Sequence, residues 1–591
     1  MPAKIVQWAK YENYEPAEWK KSESRVSEEL KSCPGLERHG RSELETFLKE
    51  QEISSIQEMD YKLRIEYEKY ILINPNRKQM YLRGYDRVMQ YVIQNQMQTL
   101  EGKRKYQWRY KNEILFLRYY PDPAIAAEFL DSRNMECLIW DFEKHCSEVM
   151  KRQVFQTLTC ILKNVTNTMC RRAKLLVLQY LYSYCREKYI KDIEELEETD
   201  IEQYREYIVK NCSNKTAAKQ YMSVLNICRR ESFVQSDEIH WHAGVWYIER
   251  LHLPEYRLNQ SSSRKSISFL EIHDSMNRKY AQEFMKYELG INGQALSTVI
   301  QRYVEVRHFI EYMEDKGVRL NNCTEKLLEG YFRHLQDKKL DAKGYNERVL
   351  QITYFIRFLT VKRYLKPIPF YPEYYYQKVM PVHHNRSVKD EVSREIIRNL
   401  KNFPEHLRCM FLHLWCLGLR ASEVCTLKGD AYYWQGKDSW IKIYQVKMKS
   451  YKRIPIPKAL YDVMKVYIEK HKIGPDEYIF KNKKGGAFLY HTFRQQMLKY
   501  CEINQIQNGE YLFQSHDYRH TVATIFYDSG VSLQSIRDYL GHLYDEMTRQ
   551  YIDYMPKKVE QANTEYFLKK GNDLAARLKK GDSYGRKKDL L

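Results

Sequence analysis

"SHDYRHTVATIFYDSGVSLQSIRDYLGHLYDEMTRQYIDY", Ser515 to Tyr554, sets His516 three residues before Arg519, then Gly541-His542, then Tyr551. Its apolar positions fit a run of short amphipathic helices. Ser515 is suited to cap a helix starting at His516, with Val522, Ala523 and Phe526 on the buried side. Gly530 ends that helix, and Ser532 opens another whose Leu533, Ile536 and Leu540 face a core. Gly541 stops it in the manner of a left-handed cap and projects His542 from the corner. Thr548 is suited to cap a last short helix carrying Tyr551. None of this packing requires the histidines, the arginines or the tyrosine. At i and i+3, His516 and Arg519 share one face of a first helical turn, where main-chain N–H groups favour an anion.

Two upstream stretches add to the set. In "FLHLWCLGLRASEVCTLKGD" (Phe411–Asp430) a helix ends near Gly418, and Ser422 and Glu423 begin the next one, with Val424 and Leu427 on its apolar side. Arg420 stands at the corner between them, where a planar guanidinium could grip a phosphate; a surface pair with Glu423 is the bland alternative. "SWIKIYQVKMK" and "KRIPIP" alternate apolar and polar residues around Ser450-Tyr451, the pattern of a β-hairpin. Lys447 and Lys449 flank Met448 just before that turn. Either could enter a nucleic-acid groove or give a proton to a leaving group, although exposed hairpins commonly carry lysines.

As a set these residues fit transfer of a phosphoryl group to a phenol. A tyrosine with an ordinary pKa near 10 needs a base or a cationic surround to become a nucleophile. Two arginines and two histidines around one phosphate would stabilise charge developing on its oxygens. Such fixed positive charge has no evident need of a metal, and no cluster of acidic ligands stands out.

The ordered set, in "GLRASEV", "KMKSYKRIPI", "HDYRHTVAT", "IRDYLGH" and "TRQYIDY", resembles the tyrosine recombinase (phage integrase) family, and among its members the long transposon-borne recombinases and transposases. The resemblance implies Arg420 and Arg519 as phosphate clamps, with His516 and His542 completing the pocket. It implies Tyr551 as the nucleophile, with Tyr554 the nearest rival. Lys447, eight residues before Pro455, would be the general acid, with Lys449 in competition. It further implies double-stranded DNA as partner, self-association to a tetramer on DNA, accessory recombination proteins, and chemistry through a 3′-phosphotyrosine without metal, ATP or other cofactor. Integration or excision of a mobile element is the expected outcome. A non-catalytic DNA-binding assembly subunit and a type IB topoisomerase-like enzyme are the alternatives.

Composition is consistent with this. Lysine and arginine number 97 against 77 acidic residues, a net charge of +20, which favours a polyanionic partner. The 13 cysteines are scattered singly with no zinc spacing, as expected of reduced thiols in a cytosolic protein; the family resemblance further implies a bacterial, nucleoid-associated setting in the cytoplasm. No apolar run reaches the length of a membrane span, and the N-terminal stretch lacks a signal core.

At 591 residues the chain should hold three to five domains, taking roughly 150 residues each. The fold class expected is mainly α with a small antiparallel β-sheet in the catalytic domain: helical DNA-binding bundles followed by a catalytic domain, closing as a C-shaped clamp. "YYPDPAIAAEF" (Tyr119–Phe129) breaks the helical pattern at Pro121 and Pro123. The stretches from Gln179 and Arg307 look alike, with tyrosines at equivalent places (Tyr204 and Tyr331), which suggests a duplicated bundle. The expected divisions are 1–150, a helical region without an assigned role; 151–260, a duplicate bundle; 269–365, the core-binding domain; 366–390, a proline-rich linker; 391–568, the catalytic domain, with Ser393 capping its first helix; and 569–591, a basic tail.

Overall fold

The computed structural model describes residues 25–71, 78–111, 113–130, 137–262, 264–380, 386–549 and 564–566. The chain divides into two compact units, Met1–Leu251 and His252–Leu591. The basic tail and the first 24 residues lie outside the described residues.

In the first unit one continuous core runs from Val26 to Cys228. Its charged centre is the fully buried Asp86, whose carboxylate accepts from Arg64 Nε (2.7 Å), Arg118 Nη1 (2.5 Å) and the Tyr119 hydroxyl (2.9 Å). A carboxylate so far from water persists only with partners of this kind. The expected proline break is present, and Pro123 opens the helix Pro123–Leu130, where its missing N–H costs nothing. Five helices follow: Glu148–Asn164, Thr168–Glu187, Glu198–Asn211, the short Lys215–Ala218 and Tyr221–Val234. The second starts where the Asn167 side chain accepts from the Cys170 N–H. Buried Tyr204 donates to the Val177 carbonyl at 3.1 Å.

The second unit carries four long helices in a matching order, Ser275–Gly290, Leu296–Asp315, Glu325–Asp337 and Ala342–Val361, without a counterpart of Lys215–Ala218 among the described residues. A single 3-10 turn separates the second and third helices in both bundles, Ile193–Glu195 in one and Leu320–Asn322 in the other. Tyr331, like Tyr204, is buried, with its ring 5.0 Å from that of Phe309. The first part of the stretch expected to be a free linker is docked instead. Phe370 and Tyr375 pack on Phe332 (5.7 and 5.0 Å), and Asn346 pairs with the Gln377 main chain through two bonds of 2.8 Å. Aromatic side chains among the prolines found an apolar face to cover.

The remaining helices build the second half of this unit. Helix Asp390–Asn399 starts four residues from where it was expected to be capped: Lys389 holds the cap position, and Ser393 lies buried inside the helix. Asp390 and Glu391 in the first turn answer the helix dipole, so no hydroxyl cap is needed. A three-stranded antiparallel sheet of Tyr432–Gln435, Asp438–Gln445 and Ser450–Pro455 follows. Its first strand was not anticipated. The hairpin turn falls on 446–449, ahead of Ser450-Tyr451, which begin the returning strand. Tyr444 and Tyr451 fix this register by facing each other with ring centroids 5.1 Å apart. Lys447 and Lys449 therefore lie in the turn itself, Lys449 with a left-handed φ of 53°. Helix Glu405–Leu417 packs along helix Ser515–Asp528.

Candidate active site

Helix 405–417 ends on Gly418 with φ 58° and ψ 30°, a left-handed cap that glycine adopts without strain. A Cβ at this position would stand 3.1 Å from the Val522 Cβ, so the helix end lies directly against helix 515–528. Two residues on, Arg420 holds the cap position of helix Ala421–Cys425. Its main-chain N–H donates to Glu423 Oε2 (3.0 Å) and its Nη1 to Glu423 Oε1 (2.9 Å). The pair first read as a bland surface alternative is thus nearly buried, and it orients the guanidinium. Gln445 Nε2, from the central strand, also donates to Glu423 Oε1 at 3.1 Å. Burial pushes the Glu423 carboxyl up, but Lys452, Arg519 and Arg420, with the Arg420 N–H, outweigh it and hold the group at about 2.

Arg519 is fully buried. It donates to the Gly418 carbonyl (3.0 Å), the Leu540 carbonyl (2.6 Å) and His542 Nε2 (2.9 Å). His542 in turn gives its Nδ1 proton to Thr548 Oγ1 at 3.0 Å, the tautomer that Arg519 requires of it. Burial, then the field of Arg519, Arg420, Lys452 and His516, lowers His542 to about 3. The helix bearing His516 and Arg519 begins at Ser515, with Gln514 at the cap position and no side-chain cap bond. Ser515 is therefore not the cap it was expected to be. Nor is Thr548, which lies buried within helix Asp545–Arg549 and spends its hydroxyl on His542. Ser532 does cap helix Leu533–Leu540, accepting from the Ser535 N–H, and Gly541 ends it at φ 70°.

His516 and Arg420 border an open cleft of about 490 Å³ with Ser422 and Ser515. Ser261 and Tyr490 form its other wall, joined by a hydrogen bond of 3.0 Å from the Tyr490 N–H to the Ser261 carbonyl. His516 keeps an open side to solvent. Desolvation by its inner neighbours, then His520, Arg519, Arg420 and Arg386, brings it down to about 4. Lys447 is exposed in the hairpin turn. Lys449 is engaged elsewhere: its Nζ donates to the Gly293 carbonyl at 3.1 Å and lies 4.6 Å from the centre of the Tyr256 ring. Tyr551 and its rival Tyr554 lie outside the described residues.

The sequence reading missed Lys452. Strand Ser450–Pro455 alternates, and Lys452 falls on the inward side with Ile454. The period-two pattern carried that signal, but a lysine in a hairpin is read by default as exposed. Gln445, Ser261 and Tyr490 carried no signal of their own. Around buried Glu423 stand three cations, Arg420, Arg519 and Lys452. With His516 and His542 neutral, three positive charges less one negative leave the group at +2. Among the described residues no group of three or more His, Cys, Asp or Glu side chains is placed to hold a metal ion.

The sequence profile described as the phage integrase family matches residues 386–558, which contain all of these charged groups except the bundle-side contacts. This region carries a phage integrase family domain. Transposase B from transposon Tn554 of Staphylococcus aureus is 26% identical over 361 residues, covering 59% of this chain and 56% of the transposase. The chain thus spans about half the length of that curated relative. A tyrosine recombinase of Pseudothermotoga lettingae is 23% identical over 280 residues, covering 46% of this chain and 92% of the recombinase. The crystal structure of the XerH site-specific recombinase in a post-cleavage complex with palindromic difH substrate superposes with a TM-score of 0.39 at 14% identity, over 55% of this chain and 94% of that one.

Proposed function

We propose that this phage integrase family member is a site-specific DNA recombinase or transposase that cuts and rejoins strands through a 3′-phosphotyrosine. The observation carrying this reading is the convergence of Arg420 and Arg519 with neutral His516 and His542 on a charge of +2 beside an open cleft. A phosphodiester carries one negative charge, and the five-coordinate transition state of its displacement carries two. Fixed charge of matching size stabilises the second more than the first, which is the condition for catalysis.

In this reading the Tyr551 phenolate attacks the phosphorus and the bond to the 5′ oxygen breaks. The leaving oxygen takes a proton from Lys447, whose place in an exposed turn lets it swing toward DNA. Neutral His516 can receive the phenol proton. The 5′-hydroxyl of a partner strand then reverses the step. Bond energy is stored in the phosphotyrosine, so the residues named need no nucleotide. Arg420 and Arg519 act as donors to the non-bridging oxygens, the first through its partly open fork and the second from beneath.

The helical bundle 275–361 is read as a second hold on the duplex, and the net charge of +20 supports extensive phosphate contact. The bundle at 148–234 repeats its element order and is read as a duplicate DNA- or partner-binding module. Movement of a mobile element, assembly as a tetramer on DNA, accessory proteins and a bacterial cytoplasmic setting complete the proposal, with the transposase relative as its support.

The test is covalent trapping. On a nicked duplex that loses its 5′-hydroxyl fragment, the wild-type chain accumulates a protein–DNA adduct and Tyr551→Phe binds DNA without forming one. An adduct that survives in Tyr551→Phe but not in Tyr554→Phe moves the nucleophile by three residues.

A further inference from the structure

Strand Ser450–Pro455 puts Lys452 where an aliphatic residue would be expected. It lies on the buried side of the sheet with Ile454, and across the ladder it faces Ile443. An ammonium there is costly unless paired, and its pairing is specific. Lys452 Nζ lies 3.5 Å from Glu423 Oε2 and donates to the Leu540 carbonyl at 3.4 Å. Each of these partners also serves one of the two arginines. Glu423 receives both the main-chain N–H and the Nη1 of Arg420, and the Leu540 carbonyl receives Nη2 of Arg519.

We infer that Lys452 is a positioning residue that joins the brace of Arg420 to the brace of Arg519, so that the two guanidinium groups meet a phosphate in fixed mutual register. This rests on the recombinase reading above. The two arginines come from separate elements, the corner after Gly418 and helix 515–528. The link through Lys452 comes from a third element, the hairpin whose turn carries Lys447. Hairpin and clamps are thereby one assembly, and displacement of the hairpin is felt at both arginines. Lys452 is not itself the leaving-group acid. Its ammonium lies buried beneath Glu423, whereas the turn lysines reach solvent.

Titratable groups face Lys452 from several elements: Glu423 from helix 421–425, Arg420 from its cap, Arg519 from helix 515–528 and neutral His542 from the corner after Gly541. Burial lowers the ammonium to about 8, with Glu423 drawing it up and Arg519 and Arg420 pressing it down. The brace therefore weakens as pH rises through this value.

The experiment uses the full chain and nicked duplexes carrying the sequence that wild-type protein traps covalently. Lys452→Met should cleave roughly 10- to 100-fold more slowly at saturating DNA, the scale of a small misplacement of reacting groups, with DNA affinity unchanged. A 5′-bridging phosphorothiolate, which leaves without protonation, should not restore the rate. Lys452→Arg should stay within a few-fold of wild type. It should also move the alkaline limb of the cleavage profile at low DNA concentration upward from near pH 8, because a guanidinium keeps its proton. Should Lys452→Met fail to fold, the double variant Lys452→Met with Glu423→Gln removes both buried charges and should fold yet still cleave slowly. Wild-type cleavage by a folded Lys452→Met or double variant overturns the inference. So does rescue by the phosphorothiolate, or an alkaline limb unmoved in Lys452→Arg. Absence of any adduct from wild-type protein overturns the recombinase reading beneath it, and is told apart from those outcomes because it appears before any variant is made.

Discussion

Arg519→Ala and Arg420→Ala should slow strand cleavage alike but destabilise the protein very differently. Arg519 is fully buried and serves three acceptors, the Gly418 and Leu540 carbonyls and His542 Nε2. In Arg519→Ala the Leu540 carbonyl keeps Lys452, at 3.4 Å. The Gly418 carbonyl and His542 Nε2 lose the donors described here. A buried acceptor stripped of its donor costs about 1–3 kcal/mol, so two give about 2–6 kcal/mol, a large fraction of a typical domain's stability. Arg420 keeps 16% of its side chain exposed and bonds Glu423 alone among the described contacts. Glu423 would retain Lys452, Gln445 and the main-chain N–H, so Arg420→Ala should cost no more than about 1–2 kcal/mol. Each substitution takes the site from +2 to +1, and by analogy with loss of one preorganised donor each should slow cleavage by roughly 10²- to 10³-fold. The assay pairs first-order adduct formation with urea-dependent hydrogen exchange of peptides covering 405–428 and 515–542. Equal stability of the two variants within about 0.5 kcal/mol would refute the three-acceptor arrangement of Arg519.

Other expectations follow from the same geometry. Gly418→Ala meets both a left-handed φ of 58° and a Val522 contact at 3.1 Å, so it should cost at least about 1–2 kcal/mol in unfolding free energy; an unchanged denaturation midpoint would contradict it. His542, held at about 3, binds fewer protons when folded than when unfolded, where its ordinary value is 6.5. Its contribution is therefore present above pH 6.5 and is lost as pH falls from there toward 3; thermal melts of His542→Gln should show a shallower decline over this window, and superimposed curves would count against it. Lys447→Ala should be slow on ordinary DNA and rescued by a 5′-bridging phosphorothiolate, whereas rescue of Lys449→Ala instead would transfer the acid's role. DNA affinity should fall with salt at a log–log slope steeper than about −5, the value for some six neutralised phosphates, and a shallow slope in filter-binding titrations would argue against an encircling grip.

The parts of the site legible in the sequence were those written in local spacing. Arg420 behind Gly418, His516 with Arg519 at i and i+3, and His542 behind Gly541 each depend on one helix end. The structure places all of them where a helix end was read. Ser515 and Thr548 were misread because a hydroxyl at a helix start is a cap only if nothing else claims it; the structure gives Thr548 to His542, six residues away in the chain but across a corner in space. Lys452 was missed because strand alternation says which side a residue occupies and not what waits there. Its partners Glu423 and Leu540 lie 29 and 88 residues distant in the chain. The strand Tyr432–Gln435 escaped notice because three aromatic residues in succession have no alternation to read. The proline-rich stretch looked free because the surface that receives Phe370 and Tyr375 is supplied by a different helix.

Two glycine corners converge on one guanidinium. Gly418 offers Arg519 its own carbonyl, and the turn at Gly541 presents the carbonyl of Leu540 just before it. Both acceptors are main-chain atoms, which every amino acid carries. The aim of this arginine is thus recorded in the path of the chain more than in the identity of its neighbours. A descendant could exchange much of the lettering around the pocket and still point the guanidinium the same way, so long as both corners turn left-handed. Kinship in this part of the molecule is better sought in dihedral angles than in matched residues.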